Sequence, residues 1–324
     1  MAIAFMGTPS FAVPSLRRLV ANGHQITAVY TQPDQPAGRG CRLKPTAVKL
    51  TAQELALPVR QPTTLRDPQA LADLASLRPQ VIVAVAYGQI LRQEVLKIPQ
   101  HGVLNVHPSL LPRHRGASPI PTAILAGDEE TGVTIMLMDQ GMDTGPILAQ
   151  RTLAIEPTDT TGSLTEKLSH LAADLLAETL PRWLRGDIQP RPQDHSQATK
   201  APLLRKEHGA IDWGLPATRI WRQVRAYNPW PGAHTTMDGD LLHIWQAWPL
   251  EGESGRQPGT VVPLTEEQRR HLPLGVDRET FAVQTGSGLL AVLLVQRAGR
   301  RALPPGDFLR GVRSIFGCVL GSPK

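Results

Sequence analysis

The chain has 324 residues, 41% of them hydrophobic, which is enough for one large core or two ordinary ones and excludes a disordered tail or a disulfide-dependent mini-protein. Lys and Arg number 34 against 28 Asp and Glu, and the resulting charge of +6 favours polyanionic partners over basic ones. Cys41 and Cys318 lie at opposite ends of the chain with no CxxC beside them, which speaks against a disulfide scaffold or a structural zinc cluster. A reducing cytoplasm is the expected location. The opening MAIAFMGTPS lacks a secretory pattern, and no run reaches the roughly 18 apolar residues of a bilayer-spanning helix.

IAFM at 3–6 reads as a strand, Gly7-Thr8-Pro9-Ser10 as a turn and 11–20 as a helix, the opening of an α/β unit. A second strand, ITAVYT at 26–31, breaks into QPDQPAGRGCRLKP, whose prolines and glycines predict a long basic loop without strand or helix. Helices follow at 46–56 and 68–77. VIVAVAY at 81–87 reads as a strand buried on both faces, and VLNVH at 103–107 and VTIMLM at 133–138 add two more around a helix at 119–126. This alternation predicts an α/β domain with a mostly parallel sheet covered by helices. Leu164, Leu168, Leu171, Leu175 and Leu176 recur at helical spacing and should close it.

A polar, proline-broken stretch containing Pro190, Pro192, Gln193, Asp194 and His195 predicts a linker that few buried contacts cross. The expected division is 1–189, a linker over 190–207, and a second domain over 208–324. The last part carries short β-like runs, LLHIWQAW, TVVPL, FAVQT and LLAVLLVQ, separated by glycines, as a small antiparallel barrel or sandwich requires. Between 181 and 225, nine Lys or Arg face four acidic residues, and Trp213, Trp221, Tyr227 and Trp230 alternate with Arg219, Arg222 and Arg225. These rings either stack on bases or anchor a small core.

The sharpest chemical signal is Asn105-Val106-His107-Pro108: an amide and an imidazole two residues apart face the same side of a strand at its end. The amide can donate to a carbonyl oxygen that gains charge, and the imidazole can exchange a proton near neutrality. Asp143, in the glycine-flanked stretch Asp139 to Gly145, places a carboxylate at another strand end. Structural roles for these residues stay open on this evidence alone. If the strands are neighbours, the three converge at the carboxyl edge where open α/β sheets hold ligands. The chain has no GxSxG elbow, dinucleotide fingerprint or phosphate-binding loop, so direct transfer between two bound substrates fits better than a covalent enzyme intermediate or hydride chemistry.

FMGTPSFAVPSL, QPDQPAGRG, AYGQIL, GVLNVHPSLLPRHRGASPI, GVTIMLMDQGMDTGPIL, KEHGAIDW to RAYNPWPGA, and PPGDFLRG together resemble, in order, the formyltransferases that use 10-formyltetrahydrofolate, and within them the branch acting on methionyl-tRNA. HPSLLP with GxDTG carries the formyl-transfer likeness; IDW with NPWPGA carries the tRNA branch. The resemblance implies a Rossmann-like domain followed by an open, OB-like β-barrel, with 10-formyltetrahydrofolate as donor substrate, methionyl initiator tRNA as acceptor, and no metal. It implies Asn105, His107 and Asp143 as the catalytic group. For the folate it implies Tyr87, Gly88, Ile90, Ser109, Leu110, Leu111, Pro112, Met138, Asp139 and Gly141. For the tRNA it implies Phe11, Arg39, Arg42, Lys44, Arg205, Lys206 and Arg222. A single chain is expected to suffice, away from any membrane. The neighbouring function is an enzyme of the same folate family acting on a small amine or on water. His114 stands where the family commonly has Tyr, Leu203-Leu204 where a basic residue is common, and GCVLGSPK at the end matches nothing in the family pattern.

Overall fold

The computed structural model describes residues 2–37, 42–273, 275, 279–312 and 314–321. Contacts divide the chain into two compact units: residues 1–119, 129–155 and 163–202 form the first, and 120–128, 156–162 and 203–324 the second. Two short internal segments thus belong with the carboxy-terminal half.

The first unit begins with β1 (Ala2–Gly7), a short 3-10 turn and α1 (Val13–Ala21), then β2 (Gln25–Tyr30). The basic segment that follows forms a hairpin of β3 (Gln35–Ala37) and β4 (Arg42–Lys44) in antiparallel register, where a loop without strands was expected. Three-residue strands with Pro36 in one of them give no alternation to detect. Next come α2 (Ala47–Glu54), β5 (Val59–Arg60), α3 (Pro68–Ser76), β6 (Val81–Val85), α4 (Gln93–Leu96), β7 (Val103–His107) and β8 (Arg115–Gly116); α5 (Pro119–Ala126), which follows in the chain, lies beyond Pro119 in the segment that belongs with the second unit. The Thr46 and Asp67 side chains accept from the Lys49 and Gln69 N–H groups, which fixes where α2 and α3 start. β9 (Glu130–Leu137), β10 (Ile147–Ala154), α6 (Thr161–Leu184) and β11 (Lys200–Ala201) complete the series.

Among the described residues the central sheet has seven strands in the order β10-β9-β7-β6-β1-β2-β5. β7, β6, β1, β2 and β5 run parallel, while β9 is antiparallel to both β7 and β10. The buried runs of β1 and β6 explain why they occupy the middle: every residue of β6 is buried, as a strand covered on both faces requires. Leu164, Leu168, Leu175 and Leu176 of α6 are buried along its apolar stripe. β10 was not anticipated; with one side half exposed it lacks a continuous apolar run.

The second unit holds α7 (Ala217–Ala226) and β12 (His234–Met237), β13 (Asp240–Leu250), β14 (Val261–Pro263), α8 (Glu266–Arg270), β15 (Phe281–Gln284), β16 (Leu289–Arg297) and α9 (Pro305–Arg310). Among the described residues its five strands pair antiparallel in the order β12-β13-β16-β15-β14. Two register shifts between Ile244 and Ala247 bend β13, so the sheet curls into an OB-like half-barrel. Trp213, Ile220, Val224, Phe281, Val292 and Phe308 belong to the main core of this unit.

Candidate active site

β7 carries the first two residues of interest to the carboxyl edge of the sheet. Its register with β6 and β9 places Asn105 opposite Ala84 and Met136, and His107 opposite Thr134. Asp143 reaches the same point from the turn between β9 and β10. Its Oδ1 accepts from Asn105 Nδ2 at 3.4 Å, and its Oδ2 lies 3.6 Å from His107 Nδ1 and accepts from the Gly116 N–H at 2.8 Å. Amide, imidazole and carboxylate therefore meet in one place.

The loop geometry behind this meeting depends on two glycines. Gly116 has φ 125°, and a Cβ there would come 2.5 Å from the Ala201 carbonyl oxygen, so a side chain would disrupt the pairing of β8 with β11 that aims the N–H at Asp143. At Gly145 a Cβ would sit 1.8 Å from the Leu137 oxygen. Asp143 itself has φ 54°, a left-handed conformation that Asp tolerates better than most residues.

His107 is 4% exposed, and its Nε2 is 3.0 Å from the His114 carbonyl oxygen. A carbonyl only accepts, so Nε2 carries the proton and Nδ1 is left to exchange one on the side of Asp143. Burial lowers the imidazole pKa, while the Asp143 charge and the His114 carbonyl pull it upward and the nearby His114 ring lowers it. Burial prevails, so the ring rests neutral at pH 7. A resting imidazolium is not what these surroundings favour.

Residues 109–112 form a tightly bonded turn. The buried Ser109 hydroxyl donates to the Arg113 carbonyl at 2.6 Å. The Thr134 hydroxyl donates to the Ser109 carbonyl at 2.6 Å and accepts from the Leu111 N–H at 3.1 Å, and Gln150 Nε2 donates to the Leu111 carbonyl at 2.8 Å. Leu110, Leu111 and Pro112 line a cavity of about 780 Å³ with Arg113, Gln150, Arg151, Thr152 and Gln197. Asn105, His107 and Asp143 are not among the residues lining it.

Tyr87 and Met138 pack in one core cluster, and the buried Tyr87 hydroxyl has no hydrogen-bond partner among the described residues; burial raises its pKa. The Tyr87 carbonyl accepts from Thr8 Oγ1 at 2.8 Å and Gln32 Nε2 at 3.3 Å, which ties the ends of β1, β2 and β6 together. Gly88 is exposed and Ile90 is 74% exposed. Asp139 uses Oδ1 to accept from the Gly141 N–H and the Thr144 hydroxyl, so it shapes the turn that presents Asp143.

The residues expected to meet tRNA are spread over both units. Phe11 is only 6% exposed and packs in the first unit, which leaves its ring unavailable for stacking. Arg39 lies outside the described residues; for Arg42 the backbone alone, in β4, is described, and Lys44 at the end of that strand is exposed. Arg205 and Lys206 are exposed, whereas Arg222 is half-buried on α7, where its guanidinium occupies the space a Cβ on Gly127 would need. Of the four aromatic residues between 213 and 230, Trp213 and Tyr227 are buried, Trp221 is packed by Trp248 and Arg225, and Trp230 alone is largely exposed.

Sequence reasoning passed over Gln193 and Thr134. The stretch around Gln193 was expected to form few buried contacts. Gln193 is instead 6% exposed, and its amide bonds to Arg115 and to the backbone around Asp143. Its isolated position in a polar segment gives no periodic signal. Among the described residues no group of three or more His, Cys, Asp or Glu could hold a metal ion, and no helix is long and apolar enough to cross a membrane.

Residues 1–180 match the formyl transferase family and residues 203–313 match its C-terminal domain. The chain belongs to the formyl transferase family. A methionyl-tRNA formyltransferase of Chloroflexus aurantiacus is 51% identical over 314 residues, covering 97% of this chain and 98% of the relative. The fold also resembles an N-formyltransferase from Helicobacter canadensis, solved with folinic acid and dTDP-3-aminofucose, at TM-score 0.65 and 19% identity over 91% of this chain and 98% of that one. HypX from Aquifex aeolicus, solved with tetrahydrofolic acid, matches at TM-score 0.62 and 21% identity over 96% of this chain. The chain spans 48% of that HypX chain. At such identities the two structures speak for the fold of this family member and no further.

Proposed function

We infer that the chain transfers the formyl group of 10-formyltetrahydrofolate to the free α-amine of methionyl initiator tRNA, giving N-formylmethionyl-tRNA. The observation that carries this reading is the end-to-end match, at 51% identity, to a methionyl-tRNA formyltransferase across both family regions. The neutral amine attacks the formyl carbon, a C–N bond forms, and the carbonyl oxygen gains negative charge. Collapse of this tetrahedral species breaks the bond to folate N10, which takes up a proton as the former amine gives one up.

Asn105 is the proposed donor to the developing oxyanion, because among the described residues its Nδ2 makes one long bond, at 3.4 Å, and can turn to a stronger acceptor. His107 and Asp143 act as a pair. With Nε2 committed to His114, the neutral ring takes a proton through Nδ1, and the carboxylate at 3.6 Å stabilises the imidazolium so formed. Leu110–Pro112, Tyr87 and Met138 are proposed to bound the folate, and Lys44, Arg205 and Lys206 to meet tRNA phosphates. A single chain working in the cytoplasm is proposed as the functional unit.

Incubating the full-length protein with labelled 10-formyltetrahydrofolate and either methionyl initiator tRNA or the uncharged tRNA tests the reading. Label should enter the aminoacylated RNA alone. Formylation of a sugar amine, or donor hydrolysis unaffected by methionyl-tRNA, would overturn it.

A further inference from the structure

We propose that Gln193 is a positioning residue that, oriented by Arg115, sets where the Asp143 carboxylate stands. This rests on the reading of Asp143 as a catalytic group. Gln193 Nε2 donates to the Asp143 carbonyl at 2.9 Å and the Gly145 carbonyl at 2.7 Å, while its Oε1 accepts from Arg115 Nε at 3.1 Å and Nη2 at 2.6 Å. The amide has only one workable orientation. A guanidinium only donates and a carbonyl only accepts, so exchanging the two ends of the amide would set donor against donor and acceptor against acceptor at all four contacts.

These bonds reinforce a turn that Asp139 Oδ1 also ties, through the Gly141 N–H and the Thr144 hydroxyl. Asp143 sits at φ 54°, and Gly145 lies against the Leu137 carbonyl with no space for a side chain. Local preference does not select this path, and Gln193 grips it at 143 and at 145. The other half of the clamp leads to the same carboxylate. Arg115 immediately precedes Gly116, whose N–H donates to Asp143 Oδ2 at 2.8 Å. A closed circuit therefore runs from the Asp143 carboxylate through Gly116, the Arg115 guanidinium and the Gln193 amide back to the Asp143 carbonyl. The backbone and the side chain of one residue are fixed by the buried Gln193 and the half-buried Arg115. The clamp acts through Asp143 and makes no claim on either substrate.

The test is a double-mutant cycle in the full chain, with turnover and both KM values measured for Gln193→Met, Asp143→Asn and the combination. Met keeps the length of Gln and removes its polar atoms. Gln193→Met should lower kcat by about 10- to 100-fold, as displacing a reacting group by an ångström does, with both KM values within about twofold. If Gln193 works through Asp143, the combination should be no slower than Asp143→Asn alone. Wild-type turnover in Gln193→Met, or losses that multiply in the combination, would overturn the positioning role and leave the reading of the site intact. Wild-type turnover in Asp143→Asn would overturn the site reading and this proposal with it. Gln193→Glu keeps an acceptor for Arg115 and loses both donors, so it serves in the same cycle if the Met variant does not fold. Failure of both variants to fold would make Gln193 a folding residue and overturn the proposal.

Discussion

Asp143→Asn alters one atom and one charge, and the surrounding contacts say what should follow. The Gly116 N–H at 2.8 Å needs an acceptor, so the new amide must turn its oxygen to the position of Oδ2. Its NH2 then faces Asn105 Nδ2 across what was a 3.4 Å hydrogen bond, donor against donor. Asn105 is pushed from its place, and the charge 3.6 Å from His107 Nδ1 disappears. The ring loses the larger of the two influences that oppose burial, the His114 carbonyl remaining, and becomes harder to protonate. Loss of a positioned proton-transfer partner costs about 10²- to 10⁴-fold, and we expect kcat to fall by about 10³-fold with the KM for the formyl donor within about threefold. Initial rates of formylmethionyl-tRNA formation at saturating donor and acceptor measure the first, and a donor titration measures the second. The retained Gly116 bond should keep the melting temperature near that of the parent. Turnover within about tenfold of the parent would refute this account of the carboxylate.

Asn105→Ala removes the proposed oxyanion donor and should lower kcat by about 10²-fold or more while donor binding persists; a loss confined to KM would count against that role. Because burial holds the folded His107 pKa below its ordinary value, the unfolded chain takes up a proton first as pH falls. Its contribution to stability is full above about pH 6.5 and is lost as pH drops through that value toward the lowered one, so melting temperature should fall less steeply with acid in His107→Gln; equal slopes would contradict this. Thr134→Val leaves the buried Leu111 N–H and Ser109 carbonyl without the Thr134 hydroxyl as partner, and should cost about 2–4 kcal/mol in denaturant unfolding. A change below about 0.5 kcal/mol would mean that water or a shifted side chain replaces that hydroxyl. Affinity for tRNA should fall steeply between about 50 and 200 mM salt while donor affinity changes less, and a flat tRNA response would remove the basic residues from the binding surface.

The features legible in the sequence were those with a repeating physical signature. β6 is a continuous apolar run and β7 a short one that carries Asn105 and ends in His107, and the Asn105–His107 spacing follows from the two-residue period of a strand. The glycines around Asp143 signalled an unusual turn, and close approach shows why they were needed: a Cβ would sit 2.0 Å from Thr144 Oγ1 at Gly141 and 1.8 Å from the Leu137 oxygen at Gly145. Gln193 was illegible because a buried amide satisfied by backbone carbonyls 48 and 50 residues away leaves no periodic trace. The protonation of His107 was likewise hidden, since it depends on the His114 carbonyl and on burial rather than on residue type. Segments 120–128 and 156–162 associate with the second unit through contacts distant in sequence, such as Arg225 Nε donating to the Asp159 carbonyl at 2.8 Å. Local composition carries no record of such a partner.

The most direct measurement is a crystal structure of the protein with a stable formyl-folate analogue. The formyl oxygen should lie within hydrogen-bond reach of Asn105 Nδ2, with His107 and Asp143 beside the formyl carbon. A formyl group held in the cavity along Leu110, Pro112 and Gln150, out of reach of all three residues, would contradict this arrangement.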